Sequence, residues 1–296
     1  MGTYVNPGTK NMEIDIDDEF YVDKSLLVKV LNTKLNKKDR FICVSRPRRF
    51  GKTMAANMIA AYYSKDCDSH DVFSDLKISK DSSFEENINK YTVIQLDMND
   101  VVTNKEDNSI TEYINKEVVS ELRKIYPSAL PEENVSLSKA IKEIFSLTGD
   151  QFVFVIDEYD VIIRDQKYSS ELDGYLTFLV SLFKNSATAP AIALAYLTGI
   201  MPIIKGKTQS GLNNFTEYTM IDADDMASFM GFTEEEVRSL ARRSGMPFDE
   251  LKRWYDGYNL RGLEVYSPKS VITAVAKKQR NEHIDTSRYV CSGVEG

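Results

Sequence analysis

Short runs of β-branched and aromatic residues alternate with stretches of helical spacing along most of this chain. The strand candidates are 40–45, 91–98, 151–157 and 191–198. The last two are nearly continuous apolar runs, which are typical of strands covered on both faces. The helix candidates lie near 51–64, 109–126, 136–148 and 171–185. Strands that alternate with helices favour a doubly wound α/β fold around a mainly parallel sheet.

After residue 222 the pattern changes from strands to short helices. In "GFTEEEVRSLARRSG", Thr233 is a predicted N-cap and Glu236 lies three residues on, which together form the signature of a capping box. "DELKRWYDGY" predicts a second short helix closed by Gly257. We therefore expect a lead-in over 1–19, a core over 20–222, a small helical subdomain over 223–275 and a tail over 276–296.

The loop after the first predicted strand carries the clearest chemistry. "SRPRRFGKT", 45–53, follows a strand and opens a helix, which is the context that a phosphate-binding P-loop requires. Gly51 lets the backbone approach a phosphate, Lys52 would reach the β- and γ-phosphates, and Thr53 would hold Mg2+. The glycine expected five residues before Gly51 is replaced by Arg46. The pattern alone leaves open a working site, a damaged site and a coincidence.

Arginine side chains in this loop predict phosphate contacts that replace some backbone donors. A guanidinium offers a forked donor set suited to phosphate oxygens. Pro47 fixes one φ angle and removes one N–H, so the loop should be stiffer than a glycine-rich one. The predicted phosphate-binding segment consists of Arg46, Arg48, Arg49, Phe50, Gly51, Lys52, Thr53 and Met54.

A second acidic element follows about a hundred residues later, in "FVFVIDEYD". Asp157 ends a predicted buried strand, and ligands of open α/β sheets bind at that edge, so we expect it to hold Mg2+ directly or through water. Glu158 is predicted to be the general base that orients the attacking water. Thr198, which ends the fourth predicted strand, is a candidate contact for the γ-phosphate or the water, although threonine also favours strands for ordinary reasons.

Composition limits the class of protein and the cellular compartment to which this chain can belong. Acidic residues outnumber basic ones, 45 to 37, and the net charge of −8 argues against a protein that coats nucleic acid. Three scattered cysteines do not make a disulfide framework. The apolar runs are far shorter than the ~20 residues of a membrane span, and the N-terminus lacks the pattern of a secretory signal. These observations predict a cytoplasmic protein with no membrane association.

Seven segments, in this order, resemble the AAA-ATPase-like domain family of P-loop modules, found mostly in bacteria. They are "FYVDKSLLVKVL" (20–31), "SRPRRFGKT" (45–53), "VIDEYD" (155–160), "LTGI" (197–200), "SGLNN" (210–214), "GFTEEEV" (231–237) and "WYDGY" (254–258). The resemblance implies that the loop with Arg46 is the family's own form. It also implies Walker A roles for Lys52 and Thr53 and Walker B roles for Asp157 and Glu158.

The same resemblance implies contacts to the nucleotide base or ribose from "YVDKS", through Tyr21, Asp23 and Lys24. Members of the family often carry a PD-(D/E)XK nuclease-like domain after the ATPase module. We expect no nuclease activity here, because the last residues show no Asp with a downstream Glu-x-Lys and leave no room for that domain. Only the nuclease-like domain that other family members often carry would suggest a role in nucleic-acid binding.

Three functions fit these motifs. The first is a Mg2+-dependent ATPase that binds ATP and hydrolyses it, with an arginine from a partner protein or a second copy completing the site. Arg164, Arg242 and Arg243 are available for that role but are read as surface cations. The second is a nucleotide-gated interaction module without significant hydrolysis. The third, a small-molecule kinase, would need an acceptor pocket that the sequence does not reveal.

Overall fold

The computed structural model describes residues 1–130, 135–203, 212–254, 257–260 and 262–280. The helices are α1 (Lys10–Ile16), α2 (Leu26–Lys34), α3 (Lys52–Tyr63), α4 (His70–Phe73), α5 (Phe84–Asn87), α6 (Met98–Asn104), α7 (Ile110–Ile125), α8 (Leu137–Thr148), α9 (Val161–Arg164), α10 (Leu172–Phe183), α11 (Glu234–Ser244), α12 (Phe248–Trp254) and α13 (Pro268–Gln279). The strands are β1 (Phe41–Ser45), β2 (Thr92–Asp97), β3 (Phe152–Asp157), β4 (Ile192–Gly199), β5 (Thr216–Tyr218), β6 (Phe232–Thr233), β7 (Tyr258–Leu260) and β8 (Leu263–Tyr266).

A five-stranded parallel sheet with the order β2-β3-β4-β1-β5 forms the centre of the molecule. Alternate strand residues supply two cores, one on each face, as the period of two in a strand requires. Val44, Val155 and Tyr196 pack with α2 and α3, whereas Phe154 and Leu197 pack with α7, α8 and α10. The predicted doubly wound α/β fold is confirmed.

Residues 232–279 form a smaller unit with its own core, built from α11, α12, α13 and the three-stranded antiparallel sheet β6-β8-β7. The predicted capping box is present at α11, where the side chains of Thr233 and Glu236 each bond to the other's backbone N–H. The sequence predicted helices here but not this sheet, because strands of two to four residues are too short to show an alternating pattern. Helix α13 also extends past the expected boundary at 275.

The start of the segment predicted as a lead-in pairs with the central sheet. Val5 pairs with Ile94 in an antiparallel bridge at the outer edge of β2. The backbone N–H of Gln95 donates to the carbonyl of Tyr4 at 2.8 Å, and that of Val93 donates to the Asn6 side chain at 2.8 Å. Residues 4–6 therefore cover the edge of β2 that would otherwise present unpaired backbone groups.

Within the described ranges, no helix combines the length and the apolar character needed to cross a bilayer. The motif segments 210–214 and 254–258 lie partly outside these ranges, as do the last residues of the predicted tail.

Candidate functional site

The carboxyl ends of the central strands bring the predicted residues to one edge of the sheet. The register pairs Asp97 with Asp157 and Asp157 with Thr198, across β2, β3 and β4. On the other side of β4, Val44 pairs with Thr198, and the arginine-rich loop leaves β1 one residue later. Because β4 lies between β1 and β3, Thr198 stands between the loop and the two aspartates.

The loop from β1 to α3 contains two residues with left-handed backbone conformation. Arg49 has φ of 69° and Gly51 has φ of 83°. Gly51 is the N-cap of α3, and no side chain caps this helix end. The first N–H groups of the twelve-residue helix α3 are therefore oriented toward the loop, as in an anion-binding helix N-terminus.

Lys52 points back into the curve of this loop. Its Nζ donates to the carbonyl oxygens of Arg46 at 3.3 Å and Pro47 at 3.2 Å. It also lies 3.4 Å from Oε1 of Glu158, and only 4% of the side chain is exposed. The ammonium group is thus held where the loop, the helix N-terminus and β3 meet.

Thr53 and Asp157 are in direct contact, since Oγ1 of Thr53 donates to Oδ2 of Asp157 at 2.6 Å. The pKa of Asp157 is raised to about 6, mainly by burial and in smaller part by the nearby carboxylates of Asp97 and Glu158, against the lowering effect of the hydrogen bond from Thr53. Burial also raises the pKa of Asp97. The sequence analysis missed Asp97, although it ends its strand in the same way as Asp157.

These oxygen atoms fit Mg2+, which prefers hard oxygen ligands and takes few of them from the protein. In the part of the chain that the structure describes, no three His, Cys, Asp or Glu side chains form a complete metal cage. Thr53 and Asp157 would therefore supply only part of a coordination sphere. Phosphate oxygens and water would complete such a sphere in a P-loop site.

Glu158 lies with both carboxylate oxygens in contact with cations. Oε2 accepts from Nη2 of Arg164 at 2.6 Å, and Oε1 is the atom that approaches Lys52. The backbone of Glu158 has φ of 51°, and its N–H donates to Oδ1 of Asp157 at 3.0 Å. Arg164 was read from the sequence as a surface cation; the structure places it six residues after Glu158, on the short helix α9 beside it.

Thr198 is fully buried, and its hydroxyl has no hydrogen-bond partner among the residues described. The turn that follows it is fixed by Asp160, whose Oδ2 accepts from the N–H groups of Ile200 at 3.1 Å and Met201 at 2.8 Å. A Cβ added at Gly199 would lie 2.5 Å from Oδ1 of Asp160. The motifs "VIDEYD" and "LTGI" are therefore parts of one packed arrangement.

Comparison with known proteins agrees with this geometry. The sequence model of the AAA-ATPase-like family, described as "Predicted AAA-ATPase", matches residues 8–208, which is more than half of the chain. The chain belongs to the AAA-ATPase-like family. The resemblance seen in the sequence is thereby confirmed.

One curated relative of this AAA-ATPase-like protein is the "Uncharacterized protein in vnfD 5'region" of Azotobacter chroococcum mcd 1. The two sequences are 26% identical over 277 residues, which cover 89% of this chain and 49% of the relative. The chain thus spans about half the length of the curated relative that it matches.

In this AAA-ATPase-like protein, Arg46 lies in the interior at the position where a P-loop usually has glycine. Its Nη1 donates to the carbonyl oxygens of Ser45 at 2.8 Å and Tyr218 at 2.9 Å, and burial lowers its pKa to about 10. Of the three loop arginines, only Arg48 and Arg49 are exposed. Arg46 ties the ends of β1 and β5 together, and its predicted contact with phosphate would require the side chain to leave this position.

Phe50 points away from the loop and into the C-terminal unit of this AAA-ATPase-like protein. Its ring is buried with Ala223, Leu260 and Val265, and its carbonyl accepts from the N–H of Gly231 at 3.0 Å. Met54, by contrast, is partly exposed on the first turn of α3. Contact of Phe50 with nucleotide stays a prediction, and with the ring in this position only the backbone of Phe50 could make it.

The three residues proposed for base or ribose contact have other partners. Lys24 donates through Nζ to the carbonyl of Ser228 at 2.6 Å and to Glu236 at 2.5 Å, and burial lowers its pKa. Asp23 accepts from the backbone N–H of Lys77 at 2.7 Å. Tyr21 packs against the α3 side of the core, where burial raises the pKa of its phenol. Their hydrogen bonds connect the segment before α2 to the rest of the fold, and nucleotide contact stays a prediction.

Proposed function

We propose that this chain binds ATP and Mg2+ at the edge of the sheet and hydrolyses the nucleotide. The observation that carries the proposal is the meeting of Lys52, Thr53, Asp157 and Glu158, with a 2.6 Å contact from Thr53 to Asp157 and a 3.4 Å contact from Lys52 to Glu158. A phosphate cradle, oxygen ligands for a divalent cation and a carboxylate base are the parts that phosphoryl transfer to water requires.

Binding is assigned to the loop and to the first turn of α3. The free N–H groups at that helix end and the ammonium of Lys52 would hold the phosphates, and Arg48 and Arg49 are free to add charge from the exposed side. Thr53 and Asp157 would hold Mg2+, which supplies charge neutralisation of the phosphates when bound. The phosphates would replace the loop carbonyls and Glu158 as partners of Lys52.

Hydrolysis is assigned to Glu158 as general base. The oxygen of a water molecule bonds to the γ-phosphorus, and the bond from that phosphorus to the β,γ-bridging oxygen breaks with its electron pair going to ADP. The proton of the water passes to the carboxylate of Glu158 and then to solvent. The buried hydroxyl of Thr198, beside Asp157 on the neighbouring strand, has no hydrogen-bond partner among the described residues and would be available to donate to the γ-phosphate or the water.

A second candidate function is a nucleotide-gated interaction module. The insertion of Phe50 into the C-terminal unit favours it, because a change in the loop would reach that unit through a direct contact. The two functions share the binding step and differ only in turnover.

The decisive experiment compares nucleotide binding and ATP hydrolysis with Mg2+ for the wild type, Lys52→Ala and Glu158→Gln. We expect turnover in the wild type, binding without turnover in Glu158→Gln, and loss of both in Lys52→Ala. Lys116→Ala removes an exposed lysine on α7 and serves as the control. Binding with no turnover in any protein would favour the gated module, and no binding in the wild type would refute the proposal.

A further inference from the structure

Arg164 connects two carboxylates beside the proposed site. Its Nη2 lies 2.6 Å from Oε2 of Glu158, and its Nη1 lies 3.5 Å from each carboxylate oxygen of Asp160. The Arg164 side chain is 19% exposed and that of Glu158 is 15% exposed. A planar guanidinium held by two acidic groups in such partly buried surroundings has a fixed direction, unlike a solvated surface cation.

The two oxygens of Glu158 have different partners, and only one of these partners belongs to the phosphate loop. Oε1 faces Lys52, which the proposed function assigns to the phosphates of ATP. If Lys52 turned to the phosphates, Oε1 would lose its partner, whereas Oε2 would keep its contact with Arg164. The oxygen of Glu158 released in this way would be the one on the side of the phosphate loop.

The support behind Arg164 is rigid. Asp160 is fully buried and is itself held by the backbone N–H groups of Ile200 and Met201, in the turn that follows Thr198. The backbone N–H of Tyr159 also donates to the carbonyl of Thr198 at 3.0 Å. Glu158 is therefore connected through Arg164 and Asp160 to the same strand end that carries Thr198.

From this arrangement we propose that Arg164 is a positioning residue that holds Glu158 in the direction needed to take a proton from the attacking water. The inference rests on the proposed function and adds a residue from the same chain that acts through Glu158. Arg164 does not act as an arginine finger in this assignment, because its guanidinium contacts carboxylates of its own chain. A misplacement of about 1 Å of a catalytic group can cost on the order of 10²-fold in rate.

The first test replaces Arg164 and separates turnover from binding. For Arg164→Gln we expect kcat to fall roughly 10–100-fold while the Kd for ATP stays within about threefold of wild type, since only the base is displaced. Arg164→Lys should recover part of the loss, because an ammonium group can contact one carboxylate but cannot fork between two. Lys167→Gln, which removes an exposed cation three residues away, is the matched control.

The second test asks whether Arg164 acts through Glu158. In a Glu158→Gln background, Arg164→Gln should change the residual rate by less than about twofold, because two groups that act as a unit are not additive. Thermal unfolding of each variant checks that the fold is retained, and Arg164→Lys is the variant to use if Arg164→Gln does not fold. An unchanged or raised kcat in Arg164→Gln, or full additivity with Glu158→Gln, overturns the inference.

Failure of this inference is distinguishable from failure of the proposed function. If the wild type hydrolyses ATP and replacing Arg164 leaves kcat unchanged, only the positioning role is rejected. A wild type that binds ATP without turnover rejects both hydrolysis and the positioning role, and a wild type that binds no nucleotide rejects the ATP site itself.

Discussion

Asp157 is a buried carboxylate at a position where the folded chain disfavours its charge. Only 2% of it is exposed, Thr53 is its one side-chain donor among the described residues, and the carboxylates of Asp97 and Glu158 lie nearby. A group in this situation is stabilised when a cation binds and destabilised when none does. Burying the ionised carboxylate of Asp157 lowers the stability of the metal-free protein, and binding of Mg2+ would offset this cost.

Replacing Asp157 by Asn should stabilise the metal-free protein. The pKa of Asp157 rises from 3.8 to about 6 on folding. Well below pH 3.8 both the folded and the unfolded chain hold the proton, and the shifted pKa has no effect on stability. Above pH 6 the carboxyl is ionised in both states, and because its pKa is higher in the folded chain, the free energy of unfolding is lower by about 2–3 kcal/mol at neutral pH. In buffer with a chelator, denaturant unfolding of Asp157→Asn should show a gain of that size at pH 7.5.

The gain from Asp157→Asn should shrink to about a third at pH 4.5, because the wild-type carboxyl is then mostly protonated in the folded chain. The exposed Asp107, replaced by Asn, provides the control, for which we expect a change of less than about 0.5 kcal/mol at either pH. A loss of stability in Asp157→Asn at pH 7.5 would contradict this account.

The sequence was sufficient to predict the residues whose spacing defines a P-loop and its acidic strand. Lys52 and Thr53 open the helix that follows β1 and its loop, and Asp157 and Glu158 lie at the end of β3, so local pattern and the rule for sheet edges bring them together. Asp97 was missed, and Arg164 was named but read as a surface cation. Their roles depend on which strands are neighbours and on the direction of a four-residue helix, and neither property is encoded in local spacing.

The loop between strand β1 and helix α3 begins with a buried arginine. Arg46 bonds to backbone carbonyls at the ends of β1 and β5, whereas the next arginines face solvent. Sequence reasoning grouped Arg46, Arg48 and Arg49 as phosphate ligands, because three arginines within four residues look equivalent until the fold separates them.

Alanine substitutions should separate the roles of these arginines. Arg46→Ala removes a fully buried side chain and two hydrogen bonds, so we expect the free energy of unfolding to fall by about 2–4 kcal/mol. Arg48→Ala should change it by less than about 0.5 kcal/mol but weaken nucleotide binding. Denaturant unfolding and nucleotide titration measure the two effects, and the reverse assignment would show that Arg46 is the phosphate ligand.

Longer elements were predicted more accurately than short ones. All four predicted strands lie within two residues of β1 to β4, and the four helices predicted before residue 222 lie within two residues of α3, α7, α8 and α10. Strand β5 and the small sheet of β6, β7 and β8 were not predicted, because two to four residues are too few to show a period. Their pairing depends on tertiary contacts with the loop and with Arg46.

Among the contacts that join the C-terminal unit to the rest of the chain, two involve residues of the sequence motifs. Lys24, just before α2, bonds to Glu236 of the α11 capping box. Phe50, in the phosphate loop, inserts its ring beside Val265 and bonds to the N–H of Gly231. An added Cβ at Gly231 would lie only 3.1 Å from Cδ1 of Phe50, so the loop and this region fit closely.

Because of this fit, nucleotide binding should slow hydrogen exchange in the C-terminal unit. With ATP and Mg2+ in the Glu158→Gln protein, we expect the amides of 231–233 to exchange at least about fivefold more slowly, since a bound phosphate fixes the loop that carries Phe50. Helix α7, across the sheet, is the internal control. Phe50→Leu should reduce the effect without abolishing binding, and equal protection with and without nucleotide would show that the two parts are independent.

The antiparallel contact of residues 4–6 with β2 also limits how copies of this protein can associate. An open strand edge is a template on which a second chain can extend the sheet. Here Tyr4, Val5 and Asn6 already occupy the hydrogen-bonding positions along that border. A second chain therefore cannot extend the sheet at β2 while residues 4–6 stay in place. A variant lacking residues 1–7 would leave the edge of β2 unpaired and open to pairing with another copy.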